Sequence, residues 1–475
     1  MKPGRWSSLG LVLTLVPVSS IAMGGGLAAD PFSTLHGLPS APGVLWQGET
    51  QLPPLPKVAP AAEDWAGRDW TLAELTAYAL GHNPQTAAAW NGLRAQAAAL
   101  GVAESAWLPT LTLSTPISRR QAVSTAGFSV PVRNSVSPNL TLSYTLWDFG
   151  LRRAKVDAAR AQEWVAGFTQ NQSIQAVAFS VAQAYYQVLG DRALLLADRQ
   201  TVAEQEKNLE AAELLHRAGQ ATIGALYQAR AALAQARSTL AAQEQTLRAS
   251  QGALAAALGL APSTAIGLAD LRLEAPPPPG LAEAAETLMQ AAEKANPALQ
   301  ESRAQLAVAE ANVRSTRAAG LPSLAVSGNY GYQFQNGFAP GDTWGLGLTL
   351  TVPLFTGFNR HYQIRQAQAQ ADQAAAQLRQ SQSTTLAQVW QDYHNFQGAL
   401  ASYPGARSSL ENAEKALEVV RAQYRVGQAT IQDVLLAESS LAQARYTLIQ
   451  KLVSSYVALA QLSQAVGMPL GEAQP

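Results

Sequence analysis

The side chains able to do covalent or metal chemistry are few and poorly placed for it. Cysteine is absent, which removes disulfides, thiolate metal sites, thiol nucleophiles and a lipidated N-terminal cysteine. His36, His82, His216, His361 and His394 are scattered without metal-ligand spacing. Gly24-Gly25-Gly26 lies within or just after an N-terminal processing segment, so no phosphate-binding loop is indicated. No catalytic residue, metal site or cofactor is expected. The polar residues that do form a pattern belong to two short breaks, His216-Arg-Ala-Gly-Gln-Ala-Thr-Ile223 and Tyr424-Arg-Val-Gly-Gln-Ala-Thr-Ile431, which share Gly-Gln-Ala-Thr-Ile. Theirs is the chemistry of helix ends. Gly219 and Gly427 can end one helix by taking φ > 0, and Thr222 and Thr430 can cap the next. Arg217 and Arg425 fall in a last helical turn, where a cation is favourable. Asp433 falls one turn into a new helix, where a carboxylate is.

These breaks need long helices to hold them. Leu151 to about Arg217 has apolar positions at three- and four-residue steps, Phe168, Ile174, Val177, Val181, Tyr185 and Val188 among them. A helix of some 65 residues would be about 100 Å long, far beyond a globular helix. A second helix is expected to run back to Leu258-Gly259. Upstream, Trp70-Thr71-Leu72-Ala73-Glu74 reads as a capped helix start, ending near Gly81-His82-Asn83-Pro84. A further helix follows to about Trp107. Thr110–Ser114 and Leu140–Leu146 then alternate with period two, predicting strands at about 110–118 and 138–147 around a polar loop from Arg119 to Pro138.

The second half replays the first. Asn296-Pro297 and Leu321-Pro322 repeat Asn83-Pro84 and Leu108-Pro109 at an offset of 213. Gly427 repeats Gly219, and Gly467 repeats Gly259, at 208. Phe355-Thr356-Gly357 pairs with Phe149-Gly150 at an offset near 207. Strands are expected at about 323–333 and 344–353, then helices at roughly 360–425, read as one continuous helix, and 431–465. This internal duplication is the strongest signal in the chain. It sets the expected organisation: a signal peptide at 1–29 (Lys2, Arg5, then apolar Leu9 to Ala22), a Pro-rich arm at 30–69, a first repeat at 70–261, a linker at 262–283, a second repeat at 284–468 and a tail at 469–475.

Composition fits an exported, assembling protein. The 33 basic and 33 acidic residues cancel, so no nucleic-acid partner is indicated. Charged residues make up 14% against about 25% in ordinary soluble chains. Each half offers strands at one end of a rod and a helix break at the other. Four strands cannot close a barrel, and an open edge in lipid would strand backbone groups at several kcal/mol each. Two copies give eight strands with a filled interior; three give twelve, wide enough for a solvated lumen.

Across Trp70 to Met468 the chain resembles the TolC-like outer-membrane efflux proteins. The resemblance rests on the duplicated layout, the Asn-Pro and Leu-Pro pairs, Pro353-Leu-Phe-Thr-Gly357, and Tyr424-Arg-Val-Gly427 followed by Asp433-Val-Leu-Leu-Ala437-Glu438. It implies a mainly α protein with membrane β structure: a homotrimer with a 12-stranded β-barrel in outer-membrane lipid, four strands per chain, continued by a long periplasmic α-helical barrel. Its partners would be a periplasmic adaptor and an inner-membrane RND or ABC transporter, in efflux or type I secretion. Many relatives are lipidated; this chain, without cysteine, resembles the non-lipidated branch. The family also implies roles. Arg217, Gly219, Thr222, Arg425, Gly427 and Thr430 would form the adaptor-docking tip. Asp433 would face the lumen in an acidic ring, with Leu436 standing where relatives often carry a second acid, so that the gate is partly hydrophobic. Tyr144, Trp147, Tyr330, Tyr332, Trp344 and Phe355 would make an aromatic girdle at the lipid interface, although strand propensity alone also accounts for them. The rival readings are a periplasmic coiled-coil adaptor, which would lack matched strand pairs, and an autonomous porin, which would need many more strands per chain.

Overall fold

The structure is a computed structural model, which describes residues 65–121, 132–269, 275–277, 284–337 and 339–468. The expected signal peptide, most of the Pro-rich arm and the C-terminal tail lie outside the described residues. The elements run α1 (Leu72–His82), α2 (Pro84–Glu104), β1 (Thr110–Ser114), β2 (Ile117–Arg120), β3 (Arg133–Val136), β4 (Asn139–Trp147), α3 (Leu151–Arg217) and α4 (Ile223–Ala257). The second series is α5 (Ala285–Ala295), α6 (Pro297–Ala318), β5 (Ser323–Gln335), β6 (Gly341–Thr351), α7 (Asn359–Arg425) and α8 (Ile431–Val466).

α3 and α7 have 67 residues each, so each is about 100 Å long. α3 packs against α2, α4, α6 and α8, and α7 against α6 and α8. Reading 360–425 as an unbroken run overlooked Pro404, which lies inside α7. Proline cannot donate to the carbonyl of Leu400. The helix continues because packing holds that region: Phe396, fully buried, and Leu400 join a cluster with Leu288 and Ala292 of α5 and Leu462 of α8.

The repeated Asn-Pro pairs have a common purpose. Asn83 and Asn296 each cap a helix through their side-chain oxygen. Their amides donate to the carbonyls of Ala257 and Ala465, both at 2.8 Å, and so staple the starts of α2 and α6 to the ends of α4 and α8. Gly467 (φ +92°) ends α8 against this corner, and a Cβ there would lie 2.7 Å from the carbonyl oxygen of Ala295. Gly467→Ala is therefore expected to cost more than the roughly 1–2 kcal/mol of a left-handed L-residue, read as a lower thermal midpoint of the helical signal.

The strands differ from expectation in detail. The strand expected at 110–118 is broken at Thr115-Pro116 into β1 and β2, because proline leaves the hydrogen-bond ladder, whereas the one expected at 138–147 is β4. The expected loop of Arg119 to Pro138 is shorter, since its flanks join the sheet: β2 reaches Arg120 and β3 spans Arg133–Val136. The six segments make four antiparallel passes, because β1 pairs with β4 and β2 with β3, while β5 pairs with β4, β3 and β6. The strand-to-helix corners also correct the alignment of the repeats. Consecutive positive φ angles fall at Phe149 and Gly150 in one half and at Gly357 and Phe358 in the other. Phe149 thus matches Gly357 rather than Phe355, and the aromatic and the glycine have exchanged places.

Candidate functional site

The helix breaks form one end of the rod. Gly219 (φ +75°) and Gly427 (φ +78°) end α3 and α7 alike; Gln220 N–H donates to the carbonyl of Leu215 and Gln428 N–H to that of Gln423, each at 2.9 Å. Thr222 caps α4 by accepting from Ala225 N–H at 3.2 Å. Arg217 turns back to the carbonyl of Glu213 at 3.3 Å, and Arg425 closes α7 in its last turn. Thr430 and Asp433 make a full capping box. The Thr430 N–H and hydroxyl donate to one Asp433 carboxylate oxygen at 2.8 and 2.7 Å, and Asp433 N–H donates back to the hydroxyl at 3.3 Å. The hydroxyl bond first, then the backbone bond, holds the Asp433 carboxyl below the usual aspartate range. Leu436, one turn later, is exposed, while Ile431, Val434 and Leu441 of α8 pack with Leu417 of α7.

The residues that sequence reasoning missed lie just above this tip. Glu438 of α8 is buried, 2% exposed. It accepts from Arg421 of α7 at 2.7 Å and from Gln205 of α3 at 2.7 Å, and also from Asn208 of α3. Glu204 of α3 lies 3.8 Å from Arg421 and 3.6 Å from Arg445 of α8. Three helices are thereby joined through charge-assisted bonds in a low-dielectric setting. The repeat did carry a signal for it. Arg230 and Glu213 pair at 3.2 Å in the first hairpin. They occupy the places of Glu438 and Arg421 at the 208-residue offset, with the charges reversed.

At the other end, strand register sorts the sheet into two unlike faces. Leu113 opposes Leu140, which opposes Tyr330, which opposes Trp344. Along the same face run Leu111, Leu142, Gly328 and Leu346, then Tyr144, Val326 and Leu348, then Leu324 and Leu350. The opposite face is Thr112, Thr141, Asn329 and Gly345, with Thr110, Ser143, Ser327 and Gly347. Over these rows one face is apolar and mostly exposed and the other is small and polar; Asp342, opposite Tyr332, stands on the apolar side at the hairpin end. Tyr330, Tyr332 and Trp344 gather at the hairpin end beside Phe334. Trp147 lies past a register shift at the helix end, in edge contact with Phe149, and Phe355 meets Phe358 there. Tyr144 sits one step inside that end, 5.9 Å from the Arg152 guanidinium. Arg152 is itself buried, paired with Asp148 at 2.9 Å and lying 4.5 Å from the Trp107 ring. Among the described residues no helix is long and apolar enough to cross a membrane, and no cluster of His, Cys, Asp and Glu could hold a metal.

A sheet with one apolar and one polar face, mounted on a long helical rod, has the pattern of a membrane channel protein that reaches well beyond its membrane. The chain belongs to the outer membrane efflux protein family, whose model matches residues 75–260 and 288–468. It is 30% identical over 442 residues to protein CyaE of Bordetella pertussis, covering 92% of this chain and 90% of that one. It is 24% identical over 387 residues to the outer membrane efflux protein BepC of Brucella suis, covering 80% and 82%. Among solved structures, the outer membrane protein VceC of Vibrio cholerae superposes with a TM-score of 0.73 at 23% identity, over 84% of this chain and 96% of that one. The CmeC outer membrane channel of Campylobacter jejuni gives 0.74 at 18% identity, over 90% and 96%. The protein is therefore an outer-membrane channel extending into the periplasm, a passive exit duct of efflux or secretion rather than an enzyme.

Proposed function

We propose that three copies close a 12-stranded barrel in the outer membrane and a continuous helical tube below it, through which an inner-membrane RND or ABC transporter and a periplasmic adaptor expel their cargo. The observation that carries this is the sheet: its apolar face suits lipid, its polar face suits a water-filled lumen, and among the described residues β1 and β6 each pair on one side alone. Four passes per chain make closure by other copies necessary. The aromatics Tyr330, Tyr332 and Trp344 would lie at the outer lipid interface, and Tyr144, Trp147 and Phe355 at the inner one. The turns at Gly219 and Gly427, with Arg217, Thr222, Arg425 and Thr430, would receive the adaptor. Asp433 and Leu436 would line the narrow periplasmic entrance, giving one charged and one apolar ring. Fractionation of the full-length protein, followed by gel analysis without boiling, tests the assembly: an outer-membrane trimer supports it, and a soluble monomer sinks it.

Two expectations concern the entrance. Asp433→Asn is expected to lower the cation preference of the channel, seen as a reversal potential nearer zero in a salt gradient. The capping box also fixes a pH dependence. Because the folded Asp433 pKa is depressed, its stabilisation of the α8 start is present above the unfolded aspartate value, about 3.9, and disappears as pH falls through the lower folded value. Hydrogen exchange at Val434 to Ala437 should accelerate only in that acid window, and Asp433→Asn should abolish the dependence.

A further inference from the structure

The first hairpin carries its charge at one end only. From Ser105 to Trp147 the sequence has three basic residues, Arg119, Arg120 and Arg133, and no Asp or Glu. All three arginines are exposed. They lie at the end remote from α2 and α3, which in an outer-membrane channel with periplasmic helices is the external end. Strand register separates them. The pairing of β4 with β5 continues into β3 without a slip, Asn139 opposite Gly331 and Ser135 opposite Gln335. Ile117, Val136 and Phe334 therefore extend the apolar face, and Arg119 with Asn134 follows them on that side. Ser118, Ser135 and Gln335 extend the small, polar face, and the next pair on it is Arg120 directly opposite Arg133. The Ser118 and Ser135 hydroxyls meet at 2.8 Å, so opposed side chains on this face converge. Asn336 fixes the backbone on both sides of Arg133. Its side-chain oxygen accepts from Asn134 N–H at 2.7 Å, and its amide donates to the carbonyl of Val132 at 3.4 Å. The one carboxylate within the six strands, Asp342, stands opposite Tyr332 on the other face.

We propose that Arg120 and Arg133 form a binding site for multivalent oxyanions at the external mouth of the duct, on its lumen side. Like charges directly opposite one another across two strands repel, and no carboxylate within the strands shares that face. A phosphate-type group between the two guanidiniums removes the repulsion and accepts paired N–H bonds from each planar fork. The exit then carries a charge opposite to that proposed for Asp433 at the entrance, so an anionic solute is held where it leaves. The inference rests on the reading of the polar face as the lumen wall, and the two can fail separately.

Tripolyphosphate titrated calorimetrically into the full-length protein, in neutral detergent at low salt, tests the site, each variant being first matched to wild type on unboiled gels. Wild type should bind it saturably. Arg120→Gln/Arg133→Gln should weaken binding at least about tenfold, the change expected from losing one charge-assisted bond. Arg119→Gln should leave binding unchanged. In planar bilayers the helical part stays on the side of addition, because among the described residues no helix is long and apolar enough to cross a membrane. Tripolyphosphate on the opposite side should reduce the current through open channels, and the double variant should raise the blocking concentration by the same factor. No saturable binding, or equal binding by all three proteins, would overturn the site and leave the duct standing. Loss on Arg119→Gln alone would place the anion on the lipid face, as for a lipid phosphate, and overturn it too. Binding that needs Arg120 and Arg133 but gives no block from that side would put the pair outside the lumen, and the assignment of faces would fall with this inference.

Discussion

Leu348→Arg is expected to eliminate the assembled protein from the outer membrane, whereas Thr349→Arg, one residue along β6, is expected to leave assembly intact and reduce conductance. Leu348 lies opposite Val326 on the apolar face, and Thr349 lies opposite Ala325 on the other. An arginine near the bilayer midplane costs about 2–4 kcal/mol in a transmembrane barrel, so three copies would lose roughly 6–12 kcal/mol. That is comparable with the whole stability of an ordinary domain. On the lumen face the guanidinium stays hydrated and acts only as an obstacle and a fixed charge. Unboiled gels of the outer-membrane fraction, with single-channel conductance for the threonine variant, check both halves. Equal tolerance at the two positions would remove the assignment of faces.

Glu438→Ala should give the largest loss of stability near the tip. The Glu438 side chain is 1% exposed and its partner Arg421 is 35% exposed. Removing the carboxylate leaves Gln205 without its acceptor, Asn208 with only the longer bond to the Gln205 side-chain oxygen at 3.4 Å, and Arg421 with only the more distant Glu204. Breaking a buried pair by deleting one member costs about 3–5 kcal/mol, and the partial exposure of Arg421 places this case near 3. Hydrogen exchange in the first half of α8 should rise accordingly. The double change Glu438→Arg with Arg421→Glu copies the Arg230–Glu213 arrangement of the first hairpin. It should recover the α7–α8 pairing, but not the bonds to α3, and so be less damaging than Glu438→Arg alone. A double variant no better than that single variant would show that the α7–α8 pair contributes little.

The parts legible in the sequence were those set by local rules. Gly219 and Gly427 had to end helices because the residues around them fit nothing else. Thr430 three residues before Asp433 announces its capping box, and Thr71 before Glu74 does the same. The absence of strong helix breakers from Leu151 to Arg217 gave that helix its length. Failures came where a tertiary partner overrides a local rule. Pro404 would break an isolated helix, yet packing of Phe396 and Leu400 against α5 and α8 carries α7 through it. Pro116 cuts the single strand expected at 110–118 into β1 and β2, which the neighbouring passes hold in line. The Glu438 cluster was not legible by proximity, because its members lie on three helices and its contacts to α3 join residues more than 200 apart. Only the charge-reversed echo at Arg230 and Glu213 could have exposed it.

The central claim, that the chain forms a threefold duct between outer membrane and periplasm, is tested most directly by single-particle imaging of the full-length protein extracted from outer membranes. The expected particle contains three chains around one axis, a detergent-wrapped barrel of twelve strand passes, and a helical tube on the order of 100 Å long. A single chain with an unclosed sheet, or a multimer without a continuous lumen, would contradict it.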